Sequence, residues 1–144
     1  MLYRLFLTFV ILVCVAAPAF AVPNILECLF TNFAYTQWEG YRFDEGFSYL
    51  NRSDYDQTVF IGSLNEKEGS ATMSTVKALV TAGQPLEFSN QSRSFMFVKT
   101  LGIGVIEIYR IDKRPNKNSK YDAYYLRQQD GYLSQGLGEC TAHL

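Results

Sequence analysis

The sequence predicts an all-β domain, a small antiparallel β-barrel or sandwich of about 7 to 9 strands. Aromatic residues make up 15% of the chain, with ten Tyr and eleven Phe, and they interleave with Val, Ile and Thr, side chains that suit a pleated, half-buried surface. Short alternating segments are separated by turns rich in Gly, Asn and Asp. Two cysteines, Cys28 and Cys140, lie near the ends of the region that follows an apolar leader. A bond between them requires Cα atoms within about 7 Å, so the first and last strands lie side by side or face each other. An antiparallel meander whose ends meet is most simply a closed or nearly closed barrel, with a two-sheet sandwich as the alternative.

The leader has the pattern of an export signal. Met1 to Arg4 carries one basic side chain, Leu5 to Ala17 is a nearly unbroken apolar run, and Ala19-Phe20-Ala21 has the small-x-small pattern that signal peptidases cleave after. The apolar run is shorter than the roughly 20 residues that span a bilayer, and Pro18 interrupts it. The expectation is therefore cleavage of residues 1–21, loss of Cys14 with them, and a single mature domain over residues 22–144, periplasmic or secreted. An even cysteine count in a small exported chain reads as a disulfide, because oxidising compartments let such bonds persist.

Each element follows from local pattern. Leu26 to Tyr35 alternates, with Leu29, Thr31, Phe33 and Tyr35 on one face and Cys28, Phe30, Asn32 and Ala34 on the other, which makes it the first strand. Gln37 to Gly40 reads as a turn. Tyr41 to Phe43 and Phe47 to Leu50 are short strands around Asp44-Glu45-Gly46, and Asn51 to Gln57 is a loop. Thr58 to Leu64 is a β-branched and aromatic strand closed by the charged segment Asn65 to Ser70. Thr72 to Thr81 is ambiguous between strand and helix; its β-branched content and the lack of a capping box favour a strand.

Leu86 to Phe88 is extended. Phe95 to Thr100 and Val105 to Ile111 then form the clearest hairpin, because the glycines of Leu101-Gly102-Ile103-Gly104 can adopt positive φ. Lys113 to Lys120 holds no apolar residue and reads as an exposed loop at a hairpin tip. Tyr121 to Arg127 and Tyr132 to Thr141 are the last two strands, with Gly136 and Gly138 weakening the final one or marking a bulge or bend in it.

Removal of Arg4 leaves twelve basic against fourteen acidic side chains, a net charge of about −2. That balance argues against nucleic-acid binding, whose footprint is a basic excess. His143 is the lone histidine and lies at the terminal end, where fraying disfavours a catalytic or metal role. Gly102-Ile103-Gly104 lacks the third glycine and the following helix of a dinucleotide site, and no cofactor is implied.

Asp54 and Asp56 share one side of an extended segment and can serve as an acid–base pair, although a solvated loop is the simpler reading. Glu39, Asp44 and Glu45 form a looser acidic group of the same kind. The basic loop is the sharpest surface feature. Lys113, Arg114, Lys117 and Lys120 place four positive charges within eight residues, suited to an anionic envelope protein, a polysaccharide or a lipid surface. Tyr121, Tyr124, Tyr125 and Tyr132 lie close by in sequence and offer an aromatic platform, unless strand alternation sends them into the core. A non-enzymatic binding module is the leading functional expectation. A hydrolase or carbohydrate-active enzyme using acidic residues, and a lipocalin-like carrier with a ligand inside the barrel, are the alternatives.

The ending Ser134-Gln135-Gly136-Leu137-Gly138-Glu139-Cys140 resembles that of a group of small exported bacterial proteins, in which Ser-Gln, two residues, Gly, one residue and Cys recur. The cysteine followed by an alternating aromatic strand, Cys28 to Phe33, is shared with the same group. The resemblance implies a bacterial source and a disulfide-linked antiparallel β fold. It carries no activity and no functional residue.

Overall fold

The structure, a computed structural model, describes residues 22–39, 42–43, 48–50, 56–129 and 132–143. The expected signal (residues 1–21), the acidic positions Asp44 and Glu45, and Asp54 lie outside them. The strands in chain order are β1 (Ile25–Glu39), β2 (Arg42–Phe43), β3 (Ser48–Leu50), β4 (Gln57–Asn65), β5 (Ser70–Ser74), β6 (Gln84–Asn90), β7 (Ser94–Thr100), β8 (Val105–Pro115), β9 (Tyr121–Gln129) and β10 (Tyr132–His143). From β4 to β10 each strand pairs with its sequence neighbour, and β1 pairs with both β4 and β10. Eight antiparallel strands thus close a barrel, which sets aside the sandwich alternative. β3 pairs with β1 at Phe33 to Tyr35, in line with β4 along the same edge, and β2 pairs at Trp38 and Glu39.

Closure brings Cys28 opposite Cys140 in register, with Cα atoms 4.0 Å apart and a disulfide between them across a sequence separation of 112. Both cysteines lie in the core at 0% exposure. In the loop-entropy account, a crosslink of this span stabilises by roughly 4 to 5 kcal/mol.

The interior is built in rows across the register. Phe95, Ile111, Ala123, Gly138 and Phe30 form one row, and Phe97, Tyr109, Tyr125, Gly136 and Phe33 the next. Phe88 stacks on Phe97 with centroids 5.1 Å apart, and Tyr109 packs on Tyr125 at 5.1 Å. Leu26, Val59, Ile61, Met73 and Leu86 fill the remaining walls. Among the described residues, aromatic rings and aliphatic side chains thus pack the interior in a continuous cluster, and eight strands enclose a space that side chains can fill.

Four sequence expectations change here. Strict alternation puts Phe33 on the face of Leu29, but the register shifts between Phe30 and Asn32. The extra residue, Thr31, inverts the phase of the rest of β1, so Leu29 faces solvent at 42% exposure while Phe33 packs against the core. The bulge lies on β1 rather than in the final strand. Gly138 stands opposite it, and a Cβ there would sit 2.2 Å from Leu29 O.

The Gln37 to Gly40 turn gives way to β1 continuing through Glu39. Thr72 to Thr81 divides: β5 ends at Ser74, and Lys77–Ala82 forms a 3-10 turn that lays Val80 over Gly62. Thr72 Oγ1 ties that turn down, 2.6 Å from Val80 O. The missing side chain of Gly62, which the sequence pattern does not reveal, makes this docking possible.

Candidate functional site

The inward phase of β7, β8 and β9 ends in charge. Lys99, Glu107 and Arg127 are direct register partners across the three strands, one row beyond Phe97, Tyr109 and Tyr125. Lys99 and Glu107 are buried, at 9% and 5% exposure. Glu107 Oε2 accepts from Tyr109 Oη at 3.0 Å and lies 3.4 Å from Lys99 Nζ. Glu107 Oε1 accepts from Tyr125 Oη at 3.3 Å and lies 3.5 Å from Arg127 Nη1.

Four donors thus converge on one carboxylate, which is how a buried charge is tolerated. Burial, and then the Glu107 charge, push the Tyr109 phenol far above its usual range and the Tyr125 phenol up to about 12. The cluster is complete in itself, so its chemistry is that of a polar cap on an aromatic core. Sequence reasoning missed it. The signal lay in the alternation, since Lys99 continues the Phe95, Phe97 phase and Glu107 begins the phase of Tyr109 and Ile111.

The basic loop is shorter and less uniform than the sequence implies. β8 runs through Pro115, and Asn116 organises the tip: its Oδ1 accepts from the backbone N–H groups of Asn118 at 2.9 Å and Lys120 at 3.2 Å. Lys113 folds back, its Nζ 5.0 Å from the Phe95 ring centroid and donating to Gln91 O. Lys120 Nζ lies 3.3 Å from Glu139 Oε2. Arg114 and Lys117 remain exposed at the tip.

The tyrosines divide by alternation. Tyr121 is partly buried against the core and Tyr125 is buried, while Tyr124 lies outside at 42% exposure with the Arg110 guanidinium 5.6 Å above its ring. Tyr121, Tyr124 and Tyr125 do not make one platform.

His143 belongs to β10, in register with Ile25, and so is not frayed. Its Nε2 lies 2.9 Å from Glu27 Oε2 on the outside of the barrel. Here the β1–β10 seam carries an open groove of ≈ 450 Å³, lined by Glu27, Leu29, Leu137 and Glu139 with Thr31, Thr141, Gly138 and Lys120. Its apolar floor comes from Leu29 and Leu137, the latter 53% exposed. Lys120 reaches this groove from the β8–β9 tip, so tip and groove adjoin.

Asp56 is exposed, and among the described residues no group of three or more His, Cys, Asp or Glu could hold a metal ion. No family model matches the chain, and neither a curated protein nor a solved structure matches it.

Proposed function

We propose that the protein is an exported, non-enzymatic binding module of the cell envelope that engages its partner through the outside of the barrel, at the β8–β9 tip and the adjoining seam. The observation that carries this reading is the ring packing among the described interior residues. From the Lys99–Glu107–Arg127 row to the disulfide, the described interior is occupied by packed rings and paired charges. A carrier needs an apolar chamber for its ligand, so the packing favours recognition on the surface. The disulfide fits an oxidising compartment.

Arg114 and Lys117 are the cations the tip presents outward, and they are the residues we assign to an anionic part of the partner. Lys113 and Lys120 are occupied locally, by Gln91 O and Glu139. The test is capture of envelope components on immobilised mature protein at low and high salt. A double variant, Arg114→Ser with Lys117→Ser, should keep the unmodified thermal midpoint, since exposed substitutions shift stability by less than about 0.5 kcal/mol each. It should lose the salt-sensitive part of the capture, which in the unmodified protein weakens as salt screens the charges. Equal capture by the double variant at all salt concentrations would remove the tip from the binding surface.

A further inference from the structure

The outer seam groove has a chemistry distinct from that of the basic tip. Glu139 on β10 stands in register with Asp122 on β9, two carboxylates on adjacent strands. Like charges placed so repel. The fold holds them with the Asn116 side-chain amide, whose Nδ2 donates to Asp122 Oδ1 at 2.9 Å and to Glu139 Oε1 at 2.7 Å, and with Lys120 on Glu139 Oε2.

Glu27 adds a third carboxylate on the other side of the seam, its Oε2 2.9 Å from His143 Nε2. The groove's own lining thus holds two carboxylates, Glu27 and Glu139, and the Lys120 ammonium that pairs with Glu139. Along the seam Glu27 stands opposite Thr141, Leu29 opposite Glu139, and Leu137 further along opposite Asn32, so the exposed side chains of Leu29 and Leu137 lie beside the Glu139 carboxylate.

We infer that this groove is a docking site for an extended segment of a partner polypeptide that carries a basic side chain next to an apolar one. The occupant follows from charge complementarity. A lysine or arginine placed over the seam meets the Glu27 and Glu139 carboxylates, which lie diagonally across it in successive outward rows, while its aliphatic stem and an apolar neighbour cover Leu29 and Leu137. An anionic polysaccharide or lipid surface would be repelled by the same carboxylates.

The inference rests on the surface-binding reading and narrows it to a protein partner of mixed charge, acidic against Arg114 and Lys117 and basic in the groove. Both contacts would lie on one face, joined by Lys120.

The experiment is a nitrogen–proton correlation titration of the mature, disulfide-bonded protein with the capped tripeptide Leu-Arg-Leu, its Leu-Glu-Leu counterpart, and vesicles containing anionic lipid as separate probes. The expected result is saturable shifts from the arginine peptide at the backbone amides of Leu29, Leu137 and Glu139. These should be weaker by about two- to fivefold in Glu27→Gln, as for removal of one partly exposed charge partner, and reduced also in Leu137→Ser. Preserved dispersion elsewhere in the spectra shows that both variants fold. Shifts of equal size with the glutamate peptide, shifts at the groove produced by the vesicles, or none with the arginine peptide would overturn the inference. If Glu27→Gln leaves envelope capture unchanged while Arg114→Ser with Lys117→Ser abolishes it, the groove assignment fails and the surface-binding reading stands.

Discussion

Glu107 is the residue on which the barrel end depends, because it is the acceptor for two buried phenols and the counter-ion of Lys99 and Arg127. Replacing it with Gln keeps the shape and removes the charge, leaving Lys99 buried without its partner. Breaking such a pair from one side is expected to cost about 2 to 4 kcal/mol, read by urea unfolding; a loss below about 0.5 kcal/mol would place the cluster at the surface in energetic terms.

The same variant has a spectroscopic consequence. The phenols of Tyr109 and Tyr125 are held above their usual range by burial first and by the Glu107 charge second. Their native-state values exceed the unfolded value of about 10, so the native state keeps the proton more tightly. The corresponding stability is complete below about pH 10 and is lost as pH rises from there through about 12. Phenolate absorbance should therefore show these two tyrosines ionising last, together with unfolding, and Glu107→Gln should lower the pH at which they do so.

At the scale of elements, β1 and β10 decide the form of the seam. The β1 bulge at Thr31 turns Phe33 inward, where its ring meets Tyr125 edge-on at 6.1 Å, and Gly136 leaves room for it: a Cβ there would lie 2.9 Å from Phe33 Cε1. At Gly138 a Cβ would instead meet backbone, 2.2 Å from Leu29 O, and backbone cannot swing aside as a ring can. Gly138→Ala should therefore open the seam locally and cost about 3 kcal/mol or more. Gly102→Ala at the β7–β8 turn has nothing within 4 Å and meets only the cost of its φ of +67, about 1 kcal/mol. Thermal unfolding of the two variants checks this order, and equal midpoints would contradict the close approach at the bulge.

Strand existence was legible in β4 and in β7 to β10, because each has a long alternating pattern bounded by turn residues. The phase of β1 was not, since a bulge is an insertion of one residue whose signature, the glycines of β10, lies more than a hundred residues away. The charged row escaped notice for a related reason: Lys99, Glu107 and Arg127 look like surface residues until the register places them in one row, with Lys99 and Glu107 buried and Arg127 reaching Glu107 from the rim. The division of the basic loop depended on partners distant in sequence, Gln91 and Glu139, that no local pattern names.

For the whole molecule, the pairing of Cys28 with Cys140 implied that the ends meet and left a barrel or a sandwich of about 7 to 9 strands open; the pairing of β1 with both β4 and β10 makes it a closed barrel of eight. What the barrel does is a question of whether it works by its interior or by its outside. The aromatic rows and the capped charge cluster pack against one another among the described interior residues, and the seam groove opens outward, which supports the surface reading. Native mass spectrometry of the protein isolated from the cells that make it, without denaturation, tests this most directly. The account predicts a polypeptide beginning at Val22, lighter than its reduced form by the hydrogens of two thiols, and free of any stoichiometric small molecule. A retained lipid- or metabolite-sized adduct, released only when the barrel unfolds, would contradict it and make the protein a carrier.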